Sequence, residues 1–259
     1  MNTRFWKMSG AGNDFIVIEG LLGLRGRALA RILCDRHSGI GADGLLGLSR
    51  TRSGARIDYW NADGSLAFCG NGTRCGALWA RAQGWVKGDR FDVQTIRGIL
   101  DVRLTGKNRA EVSMPEPKGW RLRLRVNALK RMYTVHFVDT GVPHAVLFVA
   151  DIARVDVKSL GRALRFHRSF GRSGANVDFV QMRGKTILLR TYERGVEDET
   201  LACGTGIVAA AAMARALHRV GDKVKVQVKS GDTLQVSFDG ADTRLEGPGV
   251  VTFRGEVSQ

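Results

Sequence analysis

Proline and cysteine are both scarce in this chain, four of each in 259 residues, and acidic residues fall well short of basic ones, 25 against 40. So few cysteines over this length exclude a disulfide framework, and no cysteine or histidine pair has zinc-finger spacing, so a structural metal is not expected either. No apolar run is built to span a bilayer: the longest, Leu201 to Ala214, is rich in alanine and broken by glycine. Met1 to Lys7 carries positive charge with no apolar stretch behind it and does not read as a signal peptide. These absences lead us to expect a cytosolic protein with no membrane partner.

What is present is a globular composition, 44% apolar and 25% charged, long enough for one large domain or two ordinary ones. The net charge of +15 raises the question of nucleic acid. Its carriers, however, are spread over Arg25 to Arg36, Lys118 to Arg131, Arg162 to Arg172 and Lys223 to Lys229, without interleaved aromatics or a nucleic-acid module. A solvated basic surface accounts for them, and no specific nucleic-acid partner is expected.

An internal repeat organises the chain. Cys69-Gly70-Asn71-Gly72 and Cys203-Gly204-Thr205-Gly206 share the pattern Cys-Gly-x-Gly at a separation of 134 residues. Gly41-Ala42-Asp43 and Gly174-Ala175-Asn176 match at 133, as do Val93 to Gly98 and Val226 to Gly231. Three elements in one order at nearly one spacing imply a duplicated domain.

Local signals repeat as well. Ile57 to Trp60 and Ile187 to Tyr192 read as strands. Thr73 to Gln83 and Ile207 to Arg219 read as helices ending at Gly84 and Gly221, and Leu29 to Arg36 is helix-like. Phe91 to Leu104 and Val224 to Phe238 alternate as hairpins do. The expected fold is α+β, with two pseudo-symmetric domains, each a mostly antiparallel sheet wrapped around a central helix. The domains are placed at 1–116 and 117–249, divided where Pro115 and Pro117 interrupt the pattern, with 250–259 as a strand returning to the first domain.

In both copies the cysteine stands just before a helix. A helix start presents unpaired N–H groups and partial positive charge, which bind a carboxylate and favour a thiolate. Duplication then predicts a carboxylate held by two helix starts, with one sulfur on each side of the adjacent carbon. A thiolate and a thiol so placed suit inversion of an amino-acid stereocentre, one removing the α-proton and the other returning it, with no cofactor needed. Cys34 and Cys75 lack that setting and read as small buried apolar groups. The string Gly39-Ile40-Gly41-Ala42-Asp43-Gly44 fits a dinucleotide fingerprint by letters, but it follows a helix and precedes a strand, the reverse of that motif, and reads as a tight polar loop.

At these residues the chain resembles the diaminopimelate epimerase family. The likeness is carried by KMSGAGNDFIVIE (Lys7 to Glu19), GIGADGLL (Gly39 to Leu46), NADGS (Asn61 to Ser65), CGNGTRC (Cys69 to Cys75), TGVPHAV (Thr140 to Val146), YERG (Tyr192 to Gly195) and ETLACGTG (Glu199 to Gly206). The resemblance implies interconversion of LL- and meso-diaminopimelate in lysine and peptidoglycan synthesis, without cofactor or metal, by a homodimer. It assigns Cys69 and Cys203 as the acid/base pair and Gly70, Asn71, Gly204 and Thr205 as donors to the carboxylate. Asn13, Asn61, Asn176, Glu193 and Arg194 would hold the substrate, and His144 would orient or tune the nearby thiol. A histidine satisfied within a loop accounts for His144 equally well. Val142 departs from the family's usual asparagine, and the spacings Asn61 to Cys69 and Glu193 to Cys203 each differ by one residue. Two other readings stand beside this one. The first is a racemase or epimerase of proline, hydroxyproline or histidine on the same fold; the second is a basic, non-enzymatic binding protein.

Overall fold

The structure, a computed structural model, describes residues 2–258. The chain divides into two compact units, one comprising Met1–Ser113 with Glu246–Gln259 and the other Met114–Leu245.

In the first unit β1 (Asn2–Gly10) and β2 (Asn13–Glu19) form an antiparallel pair, followed by α1 (Arg25–Leu33), β3 (Gly44–Arg50) and β4 (Gly54–Asn61). Next come a short β5 (Leu66–Ala67), the central helix α2 (Gly70–Ala82), β6 (Arg90–Thr95), β7 (Gly98–Gly106) and β8 (Arg109–Met114). The second unit repeats the plan. It runs β9 (Lys118–Ala128), β10 (Arg131–Asp139), β11 (Pro143–Phe148), α3 (Val157–Arg165), β12 (Asn176–Arg183), β13 (Thr186–Glu193), β14 (Asp198–Thr200), α4 (Gly204–Ala216), β15 (Lys223–Gln227), β16 (Thr233–Asp239) and β17 (Asp242–Pro248). The last strand, β18 (Val250–Ser258), lies antiparallel on β1, pairing Asn2 with Ser258 and Phe5 with Gly255. It occupies in the first unit the place that β9 takes on β10 in the second.

Each sheet is mixed. In the first unit β2–β3 and β4–β6 are parallel and the remaining pairs antiparallel; in the second the parallel pairs are β11–β12 and β13–β15. A parallel pair requires a long crossover, and in every case a helix supplies it. α1 and α3 serve the first crossover of each unit, and α2 and α4 the second. The α+β class with central helices is therefore correct, with two parallel joints in each sheet that local alternation does not reveal.

The central helices are enclosed almost all round. Asn71 to Ala80 of α2 and Gly206 to Ala214 of α4 are buried without interruption. Small residues permit this, because the sheet can approach the helix backbone closely. A Cβ added to Gly76 of α2 would lie 2.4 Å from Ile57 Cδ1, so that position has no room for a side chain. The remaining space is filled by Ile16, Leu45 and Trp60 with α1 in one unit, and by Val135, Phe179 and Tyr192 with α3 in the other. No helix among the described residues is long and apolar enough to cross a membrane.

Several boundaries differ from the sequence reading. Both central helices begin at the glycine after the cysteine, three residues earlier than expected. α2 closes where Gly84 takes φ +74°, but α4 ends at Ala216, with Leu217 as its C-cap and His218 at φ +56°, before Gly221. α1 spans Arg25–Leu33 rather than Leu29 to Arg36. It stops because Asp35 Oδ1 accepts the backbone N–H groups of His37 and Ser38, turning the chain. α3 was not foreseen, although Asp156 caps it by accepting the Ser159 N–H.

Candidate functional site

In the first unit Cys69 is the N-cap of α2, in extended conformation at φ −137°, ψ 115°. Its Sγ accepts the Gly72 N–H at 3.4 Å, taking the place that a serine or aspartate oxygen usually fills. Thr73 secures the turn by donating its hydroxyl to the Cys69 carbonyl at 2.9 Å. The half-buried sulfur thus lies at the positive end of an enclosed helix.

Beside it the structure brings Asn71 and Asn13 together. Asn71 Nδ2 donates to Asn13 Oδ1 at 2.6 Å, and Asn71 Oδ1 accepts Arg74 Nη2 at 2.6 Å from the next helical turn. Asn13 in turn donates to Asp43 Oδ2 at 2.9 Å. Asp43 and Asp14 exchange backbone-to-carboxylate hydrogen bonds, and Arg36 bridges both carboxylates at 2.7 and 2.9 Å. The Lys7 ammonium contacts Asp14 at 2.8 Å and the Gly41 carbonyl. Burial works against the Asp14 charge, but Arg36 and Lys7 outweigh it and hold the carboxyl down at about 2. The polar loop Gly39 to Gly44 is therefore a brace for Asn13, in the helix-then-strand order that a dinucleotide loop lacks. Asn61, at the end of β4, turns to Ser65 Oγ at 2.9 Å instead of joining Asn13 and Asn71.

In the second unit Cys203 is the N-cap of α4, at φ −121°, ψ 113°, almost the same conformation as Cys69. Its sulfur is buried and lies 3.4 Å from Thr205 Oγ1. Burial pushes the Cys203 thiol well above its usual value, and the Glu193 and Asp178 carboxylates push the same way; bonds from Thr205 and the Gly206 N–H offset this only in part. Burial and both carboxylates thus favour the thiol over the thiolate at Cys203.

The parallel pairing of β11 with β12 sets His144 opposite Asn176. Asn176 Oδ1 accepts the Arg194 N–H at 2.8 Å, while its Nδ2 faces the Pro143 carbonyl at 3.2 Å and His144 Nε2 at 3.4 Å. The wholly buried His144 meets Asp178 Oδ2 at 2.7 Å through Nδ1 and Thr205 Oγ1 at 3.0 Å through Nε2. His144 is thus linked to Cys203 by one hydroxyl rather than satisfied alone in a loop. Of the expected residues in this unit, Asn176, His144, Thr205 and Cys203 form one connected group. Glu193 ends β13 and Arg194 begins the turn that follows, tied to Asn176 through its backbone N–H. Val142 is half-buried in the turn before β11, where its carbonyl accepts the Thr140 N–H at 3.2 Å.

Sequence reasoning missed Asp178, Thr191, Asp43 and Arg74. Asp178 left a usable signal, a charge between the apolar residues Val177 and Phe179-Val180. Cys34 and Cys75 are buried, and burial pushes both thiols up to about 12.

Comparison with known proteins identifies the family. The family described as Diaminopimelate epimerase matches residues 5–120 and 136–251, one copy in each half. Two proteins named diaminopimelate epimerase illustrate the similarity. That of Chlorobaculum tepidum is 40% identical, covering 97% of this chain and all of its own. That of Methanothrix thermoacetophila is 42% identical, covering 98% and 96%. Among solved structures, a phenazine biosynthesis protein of the PhzF family from Bacillus anthracis superposes with a TM-score of 0.78 at 13% identity, covering both chains completely, a likeness of fold alone. With the family matched across both halves and relatives sharing two residues in five over nearly the whole length, the chain belongs to the diaminopimelate epimerase family.

Proposed function

We propose that this protein interconverts LL- and meso-diaminopimelate by proton transfer at the α-carbon, as a cytoplasmic enzyme of lysine and peptidoglycan precursor synthesis. The observation that carries this reading is the equivalence of two cysteines, each N-capping an enclosed helix in nearly the same backbone conformation, in a chain of this family. In the proposed reaction Cys69 and Cys203 act on opposite faces of one α-carbon. The amides of Gly70, Asn71, Gly204 and Thr205 receive the adjacent carboxylate, where charge accumulates as the α-proton leaves. Cys203, held protonated by burial and by Glu193 and Asp178, donates first; Cys69, supported by the Gly72 N–H and the helix start, is the initial base. Two thiols and oriented amides complete the transfer, so the scheme requires no cofactor. Asn13, Asn61, Asn176, Glu193 and Arg194 are assigned to the substrate's polar groups, Glu193 to a cationic and Arg194 to an anionic one.

The test is α-deuterium incorporation in deuterated water, with LL-diaminopimelate, proline and histidine offered separately. Exchange and inversion of diaminopimelate alone, lost in both Cys69→Ala and Cys203→Ala, are expected. Activity surviving either substitution would remove the two-thiol scheme; turnover of proline or histidine instead would remove the substrate.

A further inference from the structure

Arg74, one turn into α2, is wholly enclosed. Its guanidinium can only donate, so the Asn71 atom that receives Nη2 at 2.6 Å is Oδ1. Asn71 Nδ2 is thereby turned to Asn13, and since an amide nitrogen also only donates, the atom it meets at 2.6 Å is Oδ1. That leaves Asn13 Nδ2 toward Asp43 Oδ2 at 2.9 Å, a carboxylate oxygen that accepts. With a donor-only group at one end and a carboxylate at the other, each amide has one orientation. Reversing either would set N–H against N–H or oxygen against oxygen. Arg36, 2.9 Å from Asp43 Oδ1, holds the carboxylate in place.

The second central helix shows that the turn does not need this charge. Thr205 stands in α4 where Asn71 stands in α2, and the position matching Arg74, 134 residues on, is the buried Val208. Both helices nevertheless begin in nearly the same conformation at the cysteine. An apolar residue is thus compatible with the Cys-Gly-x-Gly turn, and withdrawing a guanidinium from water at that place is not explained by helix formation.

We infer that Arg74 is a positioning residue for Asn13, acting through Asn71. Asn71 is buried and serves as the link, whereas Asn13 is half-buried and within reach of a ligand. Of the two Nδ2 hydrogens of Asn13, Asp43 takes one, and the other is offered to an acceptor oxygen of the substrate, such as a carboxylate oxygen. Arg74 decides that this N–H, rather than the amide oxygen, is what Asn13 presents there. The inference rests on the reading of Asn13 as a substrate-binding group.

Replacements of Arg74 separate direction from bulk. A lysine ammonium, like the guanidinium, only donates; a glutamine amide donates or accepts; a methionine does not donate. Arg74→Lys should therefore keep KM for diaminopimelate within about threefold of wild type. Arg74→Gln and Arg74→Met should raise KM about tenfold, the effect of misdirecting one hydrogen bond to a charged group, and leave kcat within about threefold. Because Arg74 acts through Asn13, combining Arg74→Met with Asn13→Ala should be no worse than Asn13→Ala alone. NMR of isotope-labelled protein without substrate supplies a readout besides activity. The Asn71 side-chain N–H given to Asn13 should exchange with solvent about tenfold faster or more in Arg74→Gln and Arg74→Met, and at the wild-type rate in Arg74→Lys. Additive losses in the double variant, unchanged Asn71 exchange in Arg74→Gln, or an Arg74→Lys variant as impaired as Arg74→Gln would overturn the inference. Should Arg74→Met fail to fold, the lysine and glutamine variants decide the matter between them. Wild-type protein inert toward diaminopimelate but showing the expected exchange pattern would retain Arg74 as the group that orients Asn13 and overturn the substrate assignment.

Discussion

His144 Nδ1 lies 2.7 Å from Asp178 Oδ2, with both side chains wholly enclosed. The other oxygen of that carboxylate stands close to the start of α4: a Cβ added to Gly206 would come within 2.5 Å of Asp178 Oδ1 and 3.3 Å of Thr191 Oγ1. The second glycine of Cys-Gly-x-Gly thus makes room for the carboxylate behind the histidine. At Gly204 the same addition meets only Leu245 Cδ2, at an ordinary 3.5 Å.

Gly206→Ala should therefore displace Asp178 and cost about 1–3 kcal/mol, whereas Gly204→Ala should stay within about 0.5 kcal/mol of wild type. Urea unfolding measures both. Equal losses would show that the space at Gly206 is not reserved for Asp178.

The Asp14 cluster makes stability depend on acid. The folded carboxyl titrates at about 2, below its usual value of 3.8. A carboxyl depressed by folding contributes stability above its unfolded pKa and loses it as pH falls through the folded one, so the loss here runs from about pH 4 to pH 2. Allowing for solvent around Arg36, the contribution is on the order of 1–2 kcal/mol. Asp14→Asn should be less stable at pH 6 and should flatten the wild-type decline between pH 4 and 2. An unchanged acid limb in the variant would place the dependence elsewhere.

Thiol reactivity should divide the cysteines. With thiols pushed to about 12, Cys34 and Cys75 hold roughly one part in 10⁴ as thiolate at pH 8 and are also shielded by the core. Cys69, half-buried at a helix start, should be alkylated first in the folded protein. Mass spectrometry showing Cys34 or Cys75 ahead of Cys69 would contradict this arrangement.

Strand β18 covers one edge of β1, and Phe253 packs edge-on against Phe5 with centroids 6.0 Å apart. A chain ending at Gly249 would leave that edge of β1 with unpaired amides and carbonyls. Light scattering should report aggregation of the shortened protein, and thermal unfolding a lower Tm. A monodisperse product with the wild-type Tm would show that β18 is dispensable.

Much of this organisation was legible in the linear chain. The duplication was visible because copies of one fold need the same glycines at the same places, and Cys69 and Cys203 could be set at helix starts because capping is a local property. Asn13, Asn71, Asn176, His144 and Thr205 were legible through their motifs. Their partners were not, since Asn13 meets Asn71 across 58 positions and His144 meets Asp178 across 34. The end of α1 was misplaced because the Asp35 turn competes with helical propensity in a way that periodicity does not register.

By itself the sequence determined the repeat, the two capped helices and the pair of thiols, all consequences of local conformation and spacing. Only the tertiary structure decided that β11 lies parallel to β12. That register sets His144 beside Asn176 and within reach of Asp178, and orders the bonds that run through Thr205 to Cys203. Strand pairing across a helical crossover is settled by packing and hydrogen bonding between segments distant in the chain, which no local pattern encodes.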